Sequence, residues 1–122
     1  MKTATKPKLI QELVPAACCA PLAKPSITDD EAGMTAKLFK ALSDPHRVRI
    51  VNLLANAPEP LCVCDITEVV DLKQPTVSFH LKKLVASGLI HREQRGVWGY
   101  YSLSRNALRR LARTFEPKGA SK

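Results

Sequence analysis

Aromatic residues are scarce in this 122-residue chain: three Phe, two Tyr and one Trp, against a hydrophobic fraction of 45%. An interior with so few rings points to aliphatic packing between helices rather than to a β-sandwich, and the length suits one domain with one core. No run of about 18 apolar residues occurs, so no membrane-spanning segment is expected. Lys2, Lys6 and Lys8 are followed by Pro15-Ala16-Ala17 and a cysteine pair. The apolar stretch of roughly 7–15 residues that a signal peptide needs is missing, and the cytoplasm is the expected compartment. There is no phosphate-binding loop and no nucleophile motif, and His46, His80 and His91 stand in unrelated contexts. Catalysis is not expected.

Acidic residues are also short in one half of the chain. Residues 1–60 hold eight Lys/Arg and six Asp/Glu, whereas residues 61–122 hold eleven and five. Between Lys73 and Arg113 nine basic residues face a single acid, Glu93. A block of that kind suits a polyanion, without separating DNA from RNA or a membrane surface. The four cysteines form two tight pairs, Cys18-Cys19 and Cys62-x-Cys64. In a reducing compartment paired thiols favour metal or redox chemistry over structural disulfides.

Residues 1–27 carry Pro7, Pro15, Pro21 and Pro25 and read as an extended or mobile arm bearing Cys18 and Cys19. A single domain is expected over 28–116, with a polar tail at 117–122. Thr28 and Glu31 form a capping-box pattern for a first helix with Ala32, Leu38, Phe39 and Leu42 as its stripe. Asp44-Pro45 opens a second, with Val48, Val51, Leu54 and Ala55 on one face. Leu61–Cys64 is short and apolar, and Asp65 suits the cap of a brief helix, 66–70. Gln74-Pro75 opens the next helix, whose core face is Val77, Leu81 and Leu84 and whose stop is Gly88. Two β-like segments, 89–94 and 98–103, are joined by Arg95-Gly96-Val97 as a hairpin. Ser104 caps a last helix striped by Leu108, Leu111, Ala112 and Phe115. The order is mainly α with a small β-hairpin: a winged helix-turn-helix with flanking helices.

Along roughly residues 34–115 the chain resembles the ArsR/SmtB family of metal-responsive repressors. The carriers are the segments Leu38–Ile50, Leu61–Ile66 and Gln74–Lys82, then Gly88-Leu89-Ile90 and Gly96–Tyr101. The resemblance implies a homodimer joined through its first and last helices, on double-stranded operator DNA. Cys62-Val63-Cys64-Asp65 resembles the metal motif of the arsenic and cadmium/lead sensors. In the arsenic type with every ligand on that helix a third Cys would stand at Thr67. Cys18-Cys19 resembles the arm pair that, in another arsenic type, meets a core thiolate of the other subunit. The zinc pattern of the last helix is absent, since residues 104–115 hold no His, Asp or Glu.

As(III) is soft and three-coordinate and selects three thiolates. Sb(III) is an alternative inducer, and Cd(II) and Pb(II) also accept three or four thiolates. The expected function is a repressor that releases its operator when arsenite joins Cys18 and Cys19 to Cys62 or Cys64. A cadmium/lead-responsive repressor of the same fold and a thiol-oxidation sensor stay open, the latter needing lowered thiolate pKa values. For DNA, helix 74–87 is expected in the major groove, presenting Gln74, Thr76, Ser78, Phe79, Lys82 and Lys83. Gln suits adenine, Ser either base, and a phenyl ring the thymine methyl. His80 borders the core face and is open to a structural role or a DNA contact. Lys73, where the family ordinarily caps with Ser or Thr, is expected to meet phosphate. Arg92 and Arg95 on the hairpin are expected at the backbone or minor groove. Trp98, Tyr100 and Tyr101 are expected to pack the wing on the core, the alternative being a stacking platform for single strands.

Overall fold

Capping chemistry sets most helix ends in the computed structural model, which describes residues 26–117. The expectations for the arm, Cys18 and Cys19 lie outside the described residues, as does most of the tail. Helix α1 spans Asp29–Ala41. Its cap closes in both directions: the Thr28 hydroxyl accepts from the Glu31 N–H at 3.1 Å, and the Glu31 carboxylate accepts from the Thr28 N–H at 2.8 Å. Helix α2 spans Pro45–Asn56, with the Asp44 carboxylate accepting the His46 N–H at 2.8 Å and Pro45 in the first turn.

The third helix departs from expectation. Leu61–Cys62 is a short strand, β1, and Cys62, extended at ψ 166°, is itself the N-cap of α3, Val63–Val70. Asp65 is therefore not the cap. It lies in the first turn, where a carboxylate suits the positive helix end, and it accepts a hydrogen bond from the Cys62 thiol at 3.3 Å.

Helix α4 runs Gln74–Ser87 and stops at Gly88, whose φ of +90° places it in the left-handed region. The Leu89 N–H then reaches back to the Leu84 carbonyl at 3.2 Å, the six-to-one bond of a Schellman closure. Leu89 is used in that closure, so β2 starts one residue later than expected and spans Ile90–Arg95. Strand β3 is Trp98–Leu103, and α5 is Arg105–Thr114, capped by the Ser104 hydroxyl on the Ala107 N–H at 3.3 Å.

The expected hairpin becomes a three-stranded antiparallel sheet of order β1-β3-β2. Arg92 pairs with Tyr101, Glu93 with Tyr100 and Arg95 with Trp98, while on the other side Leu61 pairs with Tyr101 and Cys62 with Tyr100.

Ile50, Ile66, Val77, Leu81, Leu84 and Leu89 are fully buried and bring α2, α3, α4 and the start of the sheet onto one core. Three expected stripes are corrected. On α1 the buried residues are Thr35, Leu38 and Ala41, with Ala32 and Phe39 exposed; on α2 they are Ile50, Val51 and Leu54, with Val48 exposed. Helix α5 buries none of its residues: Leu108 and Leu111 are half-buried, Ala112 is exposed, and Phe115 is 73% exposed with its ring 5.6 Å from that of Phe39. The apolar sides of α1 and α5 thus meet each other only in part and leave aromatic surface open.

Candidate nucleic-acid interface and thiol pair

Helix α4 is held from below and open above. Val77, His80, Leu81 and Leu84 are buried, while Gln74, Thr76, Ser78, Phe79, Lys82 and Lys83 are exposed. The i, i+3, i+4, i+7 spacing of the buried set forces this division. Lys73, also exposed, is the N-cap and makes no side-chain cap bond. The Lys83 ammonium lies 5.5 Å from the centre of the Phe79 ring, so aromatic face and charge are offered together.

His80, expected among the DNA-contacting residues or as a structural group, is turned inward and is only 6% exposed. Its Nδ1 accepts from the Arg47 Nε–H at 3.2 Å, which leaves the ring proton on Nε2, and its ring lies 5.5 Å from that of His46. Burial holds the His80 imidazole below its ordinary pKa; Arg47 and His46 add to this, and Asp44 opposes it. Asp44 is pushed up by desolvation, but the His46 N–H and the nearby His80 and Arg47 outweigh that and hold it low. Arg47 also reaches the Ala41 carbonyl at 3.5 Å, and Arg49 the Val70 carbonyl at 3.4 Å. These polar ties connect the end of α1, the first half of α2, the end of α3 and the middle of α4. Sequence reading had given Arg47 and Arg49 no role; only the fold brings His80 within reach of Arg47, 33 positions earlier.

The hairpin carries its arginines on its two faces. Opposed residues in an antiparallel pair share a face, so Arg92 lies with Tyr101 and Gly99, and Arg95 with Trp98, Tyr100 and Glu93. The Arg92 Nε–H donates to the Tyr101 hydroxyl at 3.3 Å, with the guanidinium 6.0 Å from the ring centre. A Cβ on Gly99 would come within 2.7 Å of that guanidinium. Arg95 stacks 4.6 Å above Tyr100 and pairs with Glu93 at 3.1 Å. Tyr101 packs on the core, as expected, but Trp98 is half exposed and Val97 is 84% exposed. The expectation that Trp98 packs the wing inward is corrected: at the turn, Gly96 takes φ +63° and the strand end projects past the core.

Cys62 is half-buried and Cys64 exposed, both as free thiols. Desolvation, then the neighbouring Cys62, then Asp65, push the Cys64 thiol above its ordinary pKa. Among the described residues no three potential metal-binding side chains come together. The pair by itself supplies two thiols, one short of the three that a three-thiolate centre takes. Also among the described residues, no helix is long and apolar enough to cross a membrane.

Residues 44–92 match the bacterial regulatory proteins of the arsR family. The arsenical resistance operon repressor of Bacillus subtilis is 42% identical over 66 residues, covering 54% of this chain and 62% of that protein. A Halobacterium salinarum protein, named as a candidate arsenical resistance operon repressor, is 36% identical over 86 residues, 70% of each chain. A Staphylococcus aureus homologue of the cadmium resistance regulatory protein is 40% identical over 76 residues, 62% of each. The chain thus spans somewhat under two thirds of the Bacillus and Staphylococcus proteins. Among solved structures, an ArsR-like transcriptional regulator from Rhodococcus superposes with a TM-score of 0.64 at 26% identity, over 75% of this chain and 84% of that one. The homodimeric winged helix-turn-helix DNA-binding domain of a Mycobacterium bovis protein gives 0.60 at 26% identity, over 73% and 84%.

Proposed function

Since this chain belongs to the ArsR family of bacterial regulatory proteins, we propose that it is an arsenite-responsive repressor that binds operator DNA as a homodimer. The observation that carries the reading is the pair of free thiols, Cys62 and Cys64, at the threshold of a helix-turn-helix whose outer face is basic. Lys73, Lys82 and Lys83 neutralise phosphates, Gln74, Thr76, Ser78 and Phe79 face base edges, and Arg92 and Arg95 hold the backbone or minor groove. His80 supports α4 from the core. The exposed Phe39–Phe115 face of α1 and α5 is the surface on which a second copy closes the dimer.

As(III), or Sb(III) with the same valence chemistry, would be held by Cys62 or Cys64 together with Cys18 and Cys19, and when bound supplies a three-coordinate centre that ties thiolates together. Cys62 and Cys64 must first lose their protons, and the tie constrains the segment that leads into α3. Release requires a coupling free energy of only about 1–3 kcal/mol. Cadmium or lead is the second reading, favoured by the cadmium-resistance relative and by the four thiols the chain carries.

The test is operator binding by fluorescence anisotropy with and without arsenite, antimonite, cadmium and lead. Cys62→Ser and Cys64→Ser should bind operator as the parent does and fail to release it on arsenite. The double change Cys18→Ser with Cys19→Ser should do the same; full arsenite release without those thiols would refute the bridging site. Release by cadmium alone would select the second reading.

A further inference from the structure

The thiol pair and the wing are built into one ladder. Strand β1 is only Leu61–Cys62, yet both residues are paired with β3: Leu61 opposite Tyr101 and Cys62 opposite Tyr100. Those two tyrosines hold the wing arginines. Tyr101 accepts the Arg92 hydrogen bond at 3.3 Å, and Tyr100 lies 4.6 Å beneath the Arg95 guanidinium. Cys62 and Tyr100 are directly opposed and so share a sheet face with Glu93, Arg95 and Trp98. One residue thus belongs to the thiol pair, caps α3 and is paired with the strand that carries the wing.

We propose that Tyr100 is a positioning residue through which capture of a soft metal ion at Cys62 is transmitted along the β1–β3 ladder to Arg95, so that the wing loses its grip on DNA. The inference rests on the arsenite reading given above. A constraint on Cys62 acts at two places, the N-cap of α3 and the last rung of β1. The second has the shorter reach to a DNA-contacting side chain, since Tyr100 lies directly opposite Cys62 and in contact with Arg95. Arg95 is exposed and, among the described residues, is held by that ring and by Glu93. A small displacement of β3 is therefore enough to unseat it. Trp98, the chain's one tryptophan, pairs with Arg95 across the hairpin and reports on that motion.

The experiment uses the full chain and its Tyr100→Phe, Tyr100→Leu and Tyr100→Ala variants. Arsenite binding is read by thiolate–arsenic absorption, the wing by Trp98 emission without DNA, and coupling by the ratio of operator Kd values with and without arsenite. The parent ratio should be at least about fivefold, the low end of ordinary coupling. Tyr100→Phe keeps the ring and should keep the ratio. Tyr100→Leu and Tyr100→Ala should give the parent's absorption change, yet a ratio below about twofold and no change in Trp98 emission. Parent-like absorption and parent-like release in Tyr100→Leu would overturn the wing route alone, as would a silent Trp98 in a parent that releases DNA. Absence of the absorption change in the parent would overturn the thiol reading and the route with it.

Discussion

Gly99 offers a way to disturb the wing without disturbing the core. Its Cβ, if it had one, would lie 2.7–2.9 Å from three atoms of the Arg92 guanidinium group, and no backbone atom is among them. Gly99→Ala should therefore move Arg92 off Tyr101 and leave β3 in place. Replacing a strand glycine whose φ is ordinary removes freedom from the unfolded chain and stabilises by about 0.4–1 kcal/mol. Loss of the exposed Arg92–Tyr101 hydrogen bond costs a comparable 0.5–1.5 kcal/mol, roughly. The two nearly cancel, and the urea midpoint should hardly change. Operator binding should suffer, because a displaced Arg92 must be ordered again on the DNA. An immobilised long side chain costs about 0.5–1.5 kcal/mol, which is a roughly 2- to 12-fold weaker Kd. Anisotropy titrations on Gly99→Ala, Arg92→Ala and the double variant form a cycle. In the Arg92→Ala background the glycine change should have no further effect. Unchanged affinity in Gly99→Ala, or an equal loss with Arg92 already gone, would refute the view that a seated Arg92 contributes to binding.

Lys82→Ala should weaken binding on operator and random duplex alike and lower the log–log salt slope by about 0.9, whereas Gln74→Ala should narrow the gap between the two at unchanged slope; a Lys82 variant that altered only sequence preference would reverse these roles. For His80 the fold favours the neutral ring, since its pKa is held below the ordinary value of 6.5. Its contribution to stability is present above pH ~6.5 and is lost as pH falls through the folded-state value. Urea midpoints should thus drop between pH 7.5 and 5.5 in the parent, with a flatter profile in His80→Gln. Gly88→Ala, at φ +90° with open space around the site, should lower stability by about 1–2 kcal/mol in urea unfolding; no loss would mean that the closure of α4 is tolerant of a side chain.

What was legible in the sequence was what is local. The Thr28–Glu31 box, Asp44-Pro45, Gln74-Pro75, Gly88 and Ser104 act within three or four residues of themselves, and each sets a boundary in the structure. Strand β1 was invisible because two residues carry no period; it exists only because β3, about 40 positions later, pairs with it. Asp65 resembled a cap, but its carboxylate serves the Cys62 thiol while the extended backbone of Cys62 opens the helix. His80 lies one position before Leu81 on a helix, where sequence alone leaves it between two faces; Arg47, reached through tertiary contact, draws it in. Phe39, Phe115 and Trp98 were expected to be covered and are not, since burial of an aromatic ring depends on what surrounds it. The thiol pair was legible as a motif, and its contact with the wing ladder was not.

The joint at Leu89 has a mechanical meaning in a two-fold dimer of the proposed kind. Its N–H closes the C-terminus of α4 on Leu84, and its carbonyl accepts the N–H of Ser104, the cap of α5, at 2.8 Å. One residue thus fastens the recognition helix to the helix that faces the second copy. Gln74, Thr76 and Ser78 lie at the opposite end of α4, fourteen residues long. At about 1.5 Å per residue the arm is roughly 21 Å, so a tilt of about 5° at the joint carries the reading end through nearly ~2 Å. Two such ends must fall a helical turn of DNA apart, about 34–36 Å. The helix is in effect a pointer pivoted at its blunt end, and a small angular change at the subunit boundary is enough to take both tips out of register with their half-sites.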